Sequence, residues 1–206
     1  MKFISILILL SHSIYCSAGE FGDLQPIPTL GNKWEVLTLG NAFPSKAEIV
    51  SIKDLSVTTK MEVEVGSMLI TMNYQVKDEV CYLASIESYA DFADGITHFK
   101  TEYSPKLRCN IRAAEMPYHE VFIAHEIHLN NSATRQTPVD RTYYYRGIEN
   151  IITPSGNYTA EKIEIKGEET NRMLWRDQNN SLIKHEVKEL ETSSNTTTVL
   201  QKGQSQ

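Results

Sequence analysis

The sequence predicts a mainly β (α+β) fold: one large curved antiparallel sheet or half-open β-barrel, with a single helix packed on it. Three observations predict it. Segments that alternate apolar and polar residues recur through most of the chain, the period-2 signature of strands with one buried and one wet face. The breaks between them are short and carry turn residues, which favours antiparallel pairing of sequential neighbours. One segment, residues 79–94, replaces that rhythm with apolar spacings of three and four.

An N-terminal leader comes first. Lys2 gives a short positive region, residues 3–10 (FISILILL) an unbroken apolar run, and Cys16-Ser17-Ala18 the small residues a signal peptidase reads. Cleavage is expected after Ala18. The run is far shorter than the roughly 20 apolar residues of a membrane span, so no transmembrane segment is expected. Bulky Tyr15 stands where a bacterial lipoprotein signal places a small residue, which disfavours a lipid anchor on Cys16. The mature protein is expected to be periplasmic or secreted. Residues 1–18 are then the signal peptide, 19–33 an extended arm carrying Pro26 and Pro28, 34–200 a single β-rich domain, and 201–206 a disordered tail.

The first strand is read at 34–39 (WEVLTL), and 46–58 is ambiguous between element types. Met61-Glu62-Val63-Glu64-Val65 alternates strictly, 68–76 (MLITMNYQV) is rich in β-formers, and Gly66-Ser67 between them reads as a hairpin turn. In 79–94, Tyr82, Ile86, Tyr89 and Ala93 recur at helical spacing between Asp78 and Gly95, so the helix is placed there. Further strands are expected at 96–103, 106–114, 119–129, 141–152, 158–166, 171–176, 182–190 and 196–200. Turns fall at Pro154-Ser155-Gly156-Asn157, Gly167-Glu168-Glu169 and Asp177-Gln178-Asn179-Asn180.

Hydrophobic residues make up 41% and charged residues 22%, ordinary for a globular chain. Net charge is −6, and −7 once Lys2 leaves with the leader. With no Lys/Arg cluster to neutralise phosphates, nucleic acid and anionic membrane surfaces are poor partners. After loss of Cys16, Cys81 and Cys109 remain, and a pair in an oxidising compartment reads as one disulfide. It would join the first turn of the helix to the 106–114 strand. Sequons at Asn130, Asn157, Asn179 and Asn195 would matter in a eukaryotic secretory route; a bacterial route is favoured.

Two constellations could carry chemistry. Residues 118–128 (YHEVFIAHEIH) hold His119, His125 and His128, a candidate metal set of imidazoles. A helical H-E-x-x-H motif needs its histidines four apart, but His125 and His128 are three apart. On a strand, His119 and His125 share a face with Val121, Ile123 and Ile127, while Glu120, Glu126 and His128 take the other. The bland alternative is a strand with polar residues on its wet side. The second constellation is Tyr143 and Tyr145 with Ile163 and Trp175, a candidate wall for a hydrophobic ligand or, more simply, core packing. There is no G-x-S-x-G elbow and no Walker-type loop, and no cofactor is implied.

Residues 143–166 run YYYRGIENIITPSGNYTAEKIEIK, followed by a strand with Met173-Leu174-Trp175 and another with Leu182-Ile183-Lys184-His185-Glu186. Over residues 140–190, Gly147-x-Glu149, then Thr153-Pro154-x-Gly156-x-Tyr158, then the tryptophan-bearing strand resemble a family of bacterial envelope proteins defined by a domain of unknown function. Tyr158 stands where that family usually has Phe. The resemblance implies a curved antiparallel sheet similar to the half-barrels of periplasmic lipoprotein carriers. It brings no catalytic residue with it.

The function expected is an exported, non-enzymatic envelope protein that binds a hydrophobic or lipid-like ligand on the concave face of its sheet. The alternatives are a protein-interaction or assembly module, secreted host-contact proteins included, and a metal-dependent enzyme built on the 119–128 strand.

Overall fold

The structure, a computed structural model, describes residues 28–40, 43–93 and 95–202. The leader, most of the arm and the end of the tail lie outside the described residues.

Twelve strands follow one another: β1 (Lys33–Thr38), β2 (Ser45–Lys53), β3 (Ser56–Val63), β4 (Gly66–Lys77), β5 (Val80–Phe92), β6 (Gly95–Arg108), β7 (Tyr118–His128), β8 (Thr134–Thr153), β9 (Gly156–Gly167), β10 (Thr170–Arg176), β11 (Leu182–Glu189) and β12 (Asn195–Lys202). Each pairs antiparallel with its sequence neighbours, and β1 pairs with β12. The sheet is therefore a closed barrel, not the half-open one expected. Closure removes both sheet edges, the exposed rows of backbone donors and acceptors that an open sheet must otherwise protect.

The expected helix is not there: residues 80–92 are β5. The cause is a β-bulge between Leu83 and Ser85. Cys81 and Leu83 are buried on one parity, and Ile86, Ser88 and Ala90 on the other. One extra residue turns a spacing of two into three, which imitates a helical step. Asp78, which precedes that segment, opens a two-residue turn in which Asp78 and Glu79 both have positive φ, the geometry that joins paired strands without splaying them. The expected 106–114 strand is also shortened. β6 ends at Arg108, and the connection to β7 holds a single 3-10 turn, Ala113–Glu115.

The ambiguous 46–58 segment is a hairpin of β2 and β3, and the turn expected at Gly66-Ser67 falls at Glu64-Val65 instead. Gly66 starts β4, where a Cβ would sit 2.2 Å from the Asp91 carbonyl oxygen, so only glycine lets β4 and β5 approach there. The 153–156 turn lies where the sequence places it, between β8 and β9.

The core is one large cluster, centred on the fully buried Ile49, Val57, Met61, Ile70 and Met72, and a smaller one of Ile111, Tyr143, Ile163, Ile165 and Leu174. Cross-strand register puts the strand residues among these on the barrel's inner face, and Ile111 joins them from the connection after β6. Ion pairs such as Lys60–Glu62, Lys100–Glu102 and Lys184–Glu186 alternate with them on the outside. Apolar-in and charged-out is the inverse of a membrane-spanning barrel. No described helix is long and apolar enough to cross a membrane. Cys81 and Cys109 form the expected disulfide, Cα atoms 5.4 Å apart, joining β5 to the end of β6.

Candidate functional site

The register of β7 to β11 sets the site. Glu120 lies opposite Arg141 and Tyr118 opposite Tyr143, so the even residues of β7 and the odd residues of β8 face inward. Ile165 lies opposite Tyr143 and Arg172, and Arg172 opposite Val187. His185 lies opposite Leu174. Two acids (Glu120 and Glu126), two arginines and a histidine thus share the inner face with the apolar core.

β7 is turned opposite to the bland reading. Glu120 and Phe122 point inward, and Val121 (54% exposed) and Ile123 (44% exposed) point outward. Glu120 is held by its neighbours. Arg141 Nε donates to its Oε1 at 2.6 Å, and the Tyr143 hydroxyl donates to the same oxygen at 2.7 Å. Arg141 also lies over the Phe122 and Tyr143 rings, at 4.9 and 5.3 Å from their centroids. Burial drives the Tyr103 hydroxyl up to about 12 and Tyr143 higher still, so both remain neutral donors.

Beside this pair, near the 168–169 turn, is a cavity of about 260 Å³. Ala124, Val139, Ile165 and Val187 give it apolar walls, and Arg141 and Arg172 line it too. Glu126 lines one side, and the exposed Glu168 and Glu169 stand at the rim. Burial and the nearby Arg141 charge pull Arg172 down to about 10, which still leaves it charged at neutral pH. His185, 2% exposed, has neither ring nitrogen hydrogen-bonded. Burial first, and Arg172 second, depress it to about 3, so it is a neutral imidazole.

Of the residues singled out from sequence, Tyr143 and Ile163 come together in the smaller core cluster. Tyr145 lies opposite Ile163 but at a bulge, where Gly147 takes φ +99°, and it is 37% exposed. Trp175 is buried on the other face of β10. It lies opposite Lys162 and Lys184, with Lys184 Nζ 4.4 Å from its ring centroid and its Nε1 donating to Glu149 Oε2 at 2.8 Å. None of the four lines the cavity.

His119 and His125 share the outer face of β7, six residues apart, or about 20 Å along a strand. His119 pairs with Asp140, and His128, on the opposite face, contacts the Phe99 ring. Among the described residues no three His, Cys, Asp or Glu side chains gather as a metal site.

Sequence reasoning missed Arg141, Arg172 and His185. One signal could have found them: each is polar yet in phase with buried apolar neighbours, Arg141 with Tyr143, Arg172 with Leu174, and His185 with Ile183 and Val187.

No family model matches the chain, and no curated protein matches it in sequence. Three solved structures are similar in shape. A candidate lipoprotein from Parabacteroides distasonis has a TM-score of 0.42 and 10% identity over 84% of this chain and 95% of that one. A candidate exported protein with a YmcC-like fold from Bacteroides fragilis gives 0.43 and 8% over 86% and 97%. The hypothetical lipoprotein YmcC from Escherichia coli gives 0.42 and 7% over 84% of both chains. At these scores the likeness carries no argument about function.

Proposed function

We propose that the chain is an exported, non-enzymatic binding protein that takes a small ligand with an apolar part into the cavity inside its barrel. The signal sequence supports export. The observation that carries the binding reading is the cavity itself: about 260 Å³, walled by Ala124, Val139, Ile165 and Val187. Most of the interior is filled around Ile49, Met61, Ile70 and Met72, so the ligand site is local and does not run the length of the barrel. Its volume lies just below the usual range for ligand pockets, which fits a short apolar segment better than a whole diacyl lipid.

Native mass spectrometry of protein purified from its host tests this. A co-purifying small molecule, lost in an Ala124→Phe variant that fills the cavity, supports the reading. Protein that carries nothing, and whose thermal stability no short-chain amphiphile raises, overturns it.

A second reading, docking of a protein partner, is favoured by the exposed Val121 and Ile123 on the outer face of β7, where a solvated strand face would carry polar residues. Val121→Lys with Ile123→Lys would abolish such docking and leave the cavity intact.

A further inference from the structure

Arg172 and Arg141 are two arginines on one inner face, but only one has a counter-charge. Arg141 is paired with Glu120, whose Oε1 also accepts the Tyr143 hydroxyl. Arg172 has no ion pair and no hydrogen-bonded partner among the described residues. The groups that act on it electrostatically are Arg141, Tyr143 and Tyr103, with no carboxylate among them. Glu126 lines the same cavity from the inward parity of β7 but forms no ion pair with Arg172. Glu120 answers Arg141, and Arg135, Glu126, Asp140, Glu168 and Glu169 line the cavity as well, so the positive charge is local to Arg172 and is not a property of the cavity as a whole. Arg172 is half-buried, and the hydration its guanidinium loses on the inner face is not made good by a counterion.

Resting on the binding reading above, we propose that the cavity selects an amphiphilic anion, a carboxylate or phosphate monoester on a short apolar chain, with Arg172 holding the charged head. The guanidinium fork matches both head groups. Ala124, Val139, Ile165 and Val187 take the chain. Glu168 and Glu169 at the rim are exposed, so water and salt screen their repulsion, while the interior charge is screened far less.

Calorimetry on the full chain tests this with four probes: octanoate, octyl phosphate, 1-octanol and inorganic phosphate. The wild type is expected to bind octanoate or octyl phosphate roughly 10–100-fold more tightly than 1-octanol, the value of a charge-assisted bond. The tighter of the two names the head group. Arg172→Met is expected to erase that preference, leave 1-octanol affinity within about twofold, and raise the unliganded Tm by roughly 2–4 °C or more because an unpaired charge is gone. Arg172→Lys is expected to retain part of the preference. Equal binding of octanoate, octyl phosphate and 1-octanol by the wild type overturns the anion preference and leaves the cavity reading standing. Inorganic phosphate binding as tightly as octyl phosphate overturns the amphiphile. A lower Tm for Arg172→Met overturns the unpaired charge. Binding of none of the four overturns this inference and the cavity reading together.

Discussion

Glu120 and Arg141 form an ion pair on the inner face of the barrel, with side chains only 9% and 10% exposed. Burying two charges is costly, and only good geometry and further hydrogen bonds offset it. Here the geometry is good, and the Tyr143 hydroxyl adds a third partner. Glu120→Gln should destabilise the fold by about 3–5 kcal/mol, because it strands Arg141. The double variant Glu120→Leu/Arg141→Leu should recover most of that loss. Urea midpoints of Glu120→Leu, Arg141→Leu and their double variant check it, and an additive double variant would refute the coupling.

His185 should set part of the acid limb of stability. Its folded pKa, about 3, lies below the ordinary histidine value. The unfolded chain therefore binds a proton that the folded chain refuses, and stability falls as pH drops from about 6.5 towards 3, by up to roughly 1.4 kcal/mol per pH unit. His185→Leu should flatten that limb and, by removing two unpartnered buried nitrogens, stabilise the protein at neutral pH as well. Urea unfolding at a series of pH values between 4 and 7 checks both.

Trp175 should matter for stability and not for binding. It is 3% exposed, flanked by Lys162 and Lys184, and bonded to Glu149, which the Lys162 and Trp175 hydrogen bonds hold below the usual carboxylate range. Trp175→Phe should cost about 1 kcal/mol through the lost Nε1–H bond. Its affinity for octanoate should match the wild type, since Trp175 lies off the cavity.

The Cys81–Cys109 bond closes a loop of 28 residues. Chain entropy alone assigns it about 3.6 kcal/mol. The Cys81→Ala/Cys109→Ala variant should lose about 2–4 kcal/mol of unfolding free energy, and reduction of the wild type should reproduce that loss.

The strands were legible wherever alternation was unbroken. β9, β10 and β11, and the turn between Thr153 and Gly156, lie within a residue or two of where the periodicity puts them. What was not legible has particular causes. β5 reads as a helix because the bulge near Ala84 changes its phase. β8 begins at Thr134, before the 141–152 segment, because Gln136, Thr137 and Pro138 carry no apolar rhythm. The site was hidden for a related reason. An arginine in a strand reads as solvated, and only the inward phase of Arg172 with Leu174 shows otherwise. Closure was invisible because no local pattern marks β1 as a partner of β12.

That last pairing has a consequence for how the molecule is made. Glu35 lies against Lys202 and Thr38 against Thr198, so the seam joins the first strand formed to the last. A chain that appears N-terminus first holds β1 with one bare edge until β12 emerges, and its interior stays open to water for that whole interval. Assembly is then limited by a contact between the far ends of the domain, where chain entropy makes closure slowest. Once formed, the seam is one hairpin-like pairing among twelve. Joining Lys33 to Lys202 through a short linker and cutting the chain at the 177–180 turn should yield the same barrel, with the late step moved to a different pair of strands.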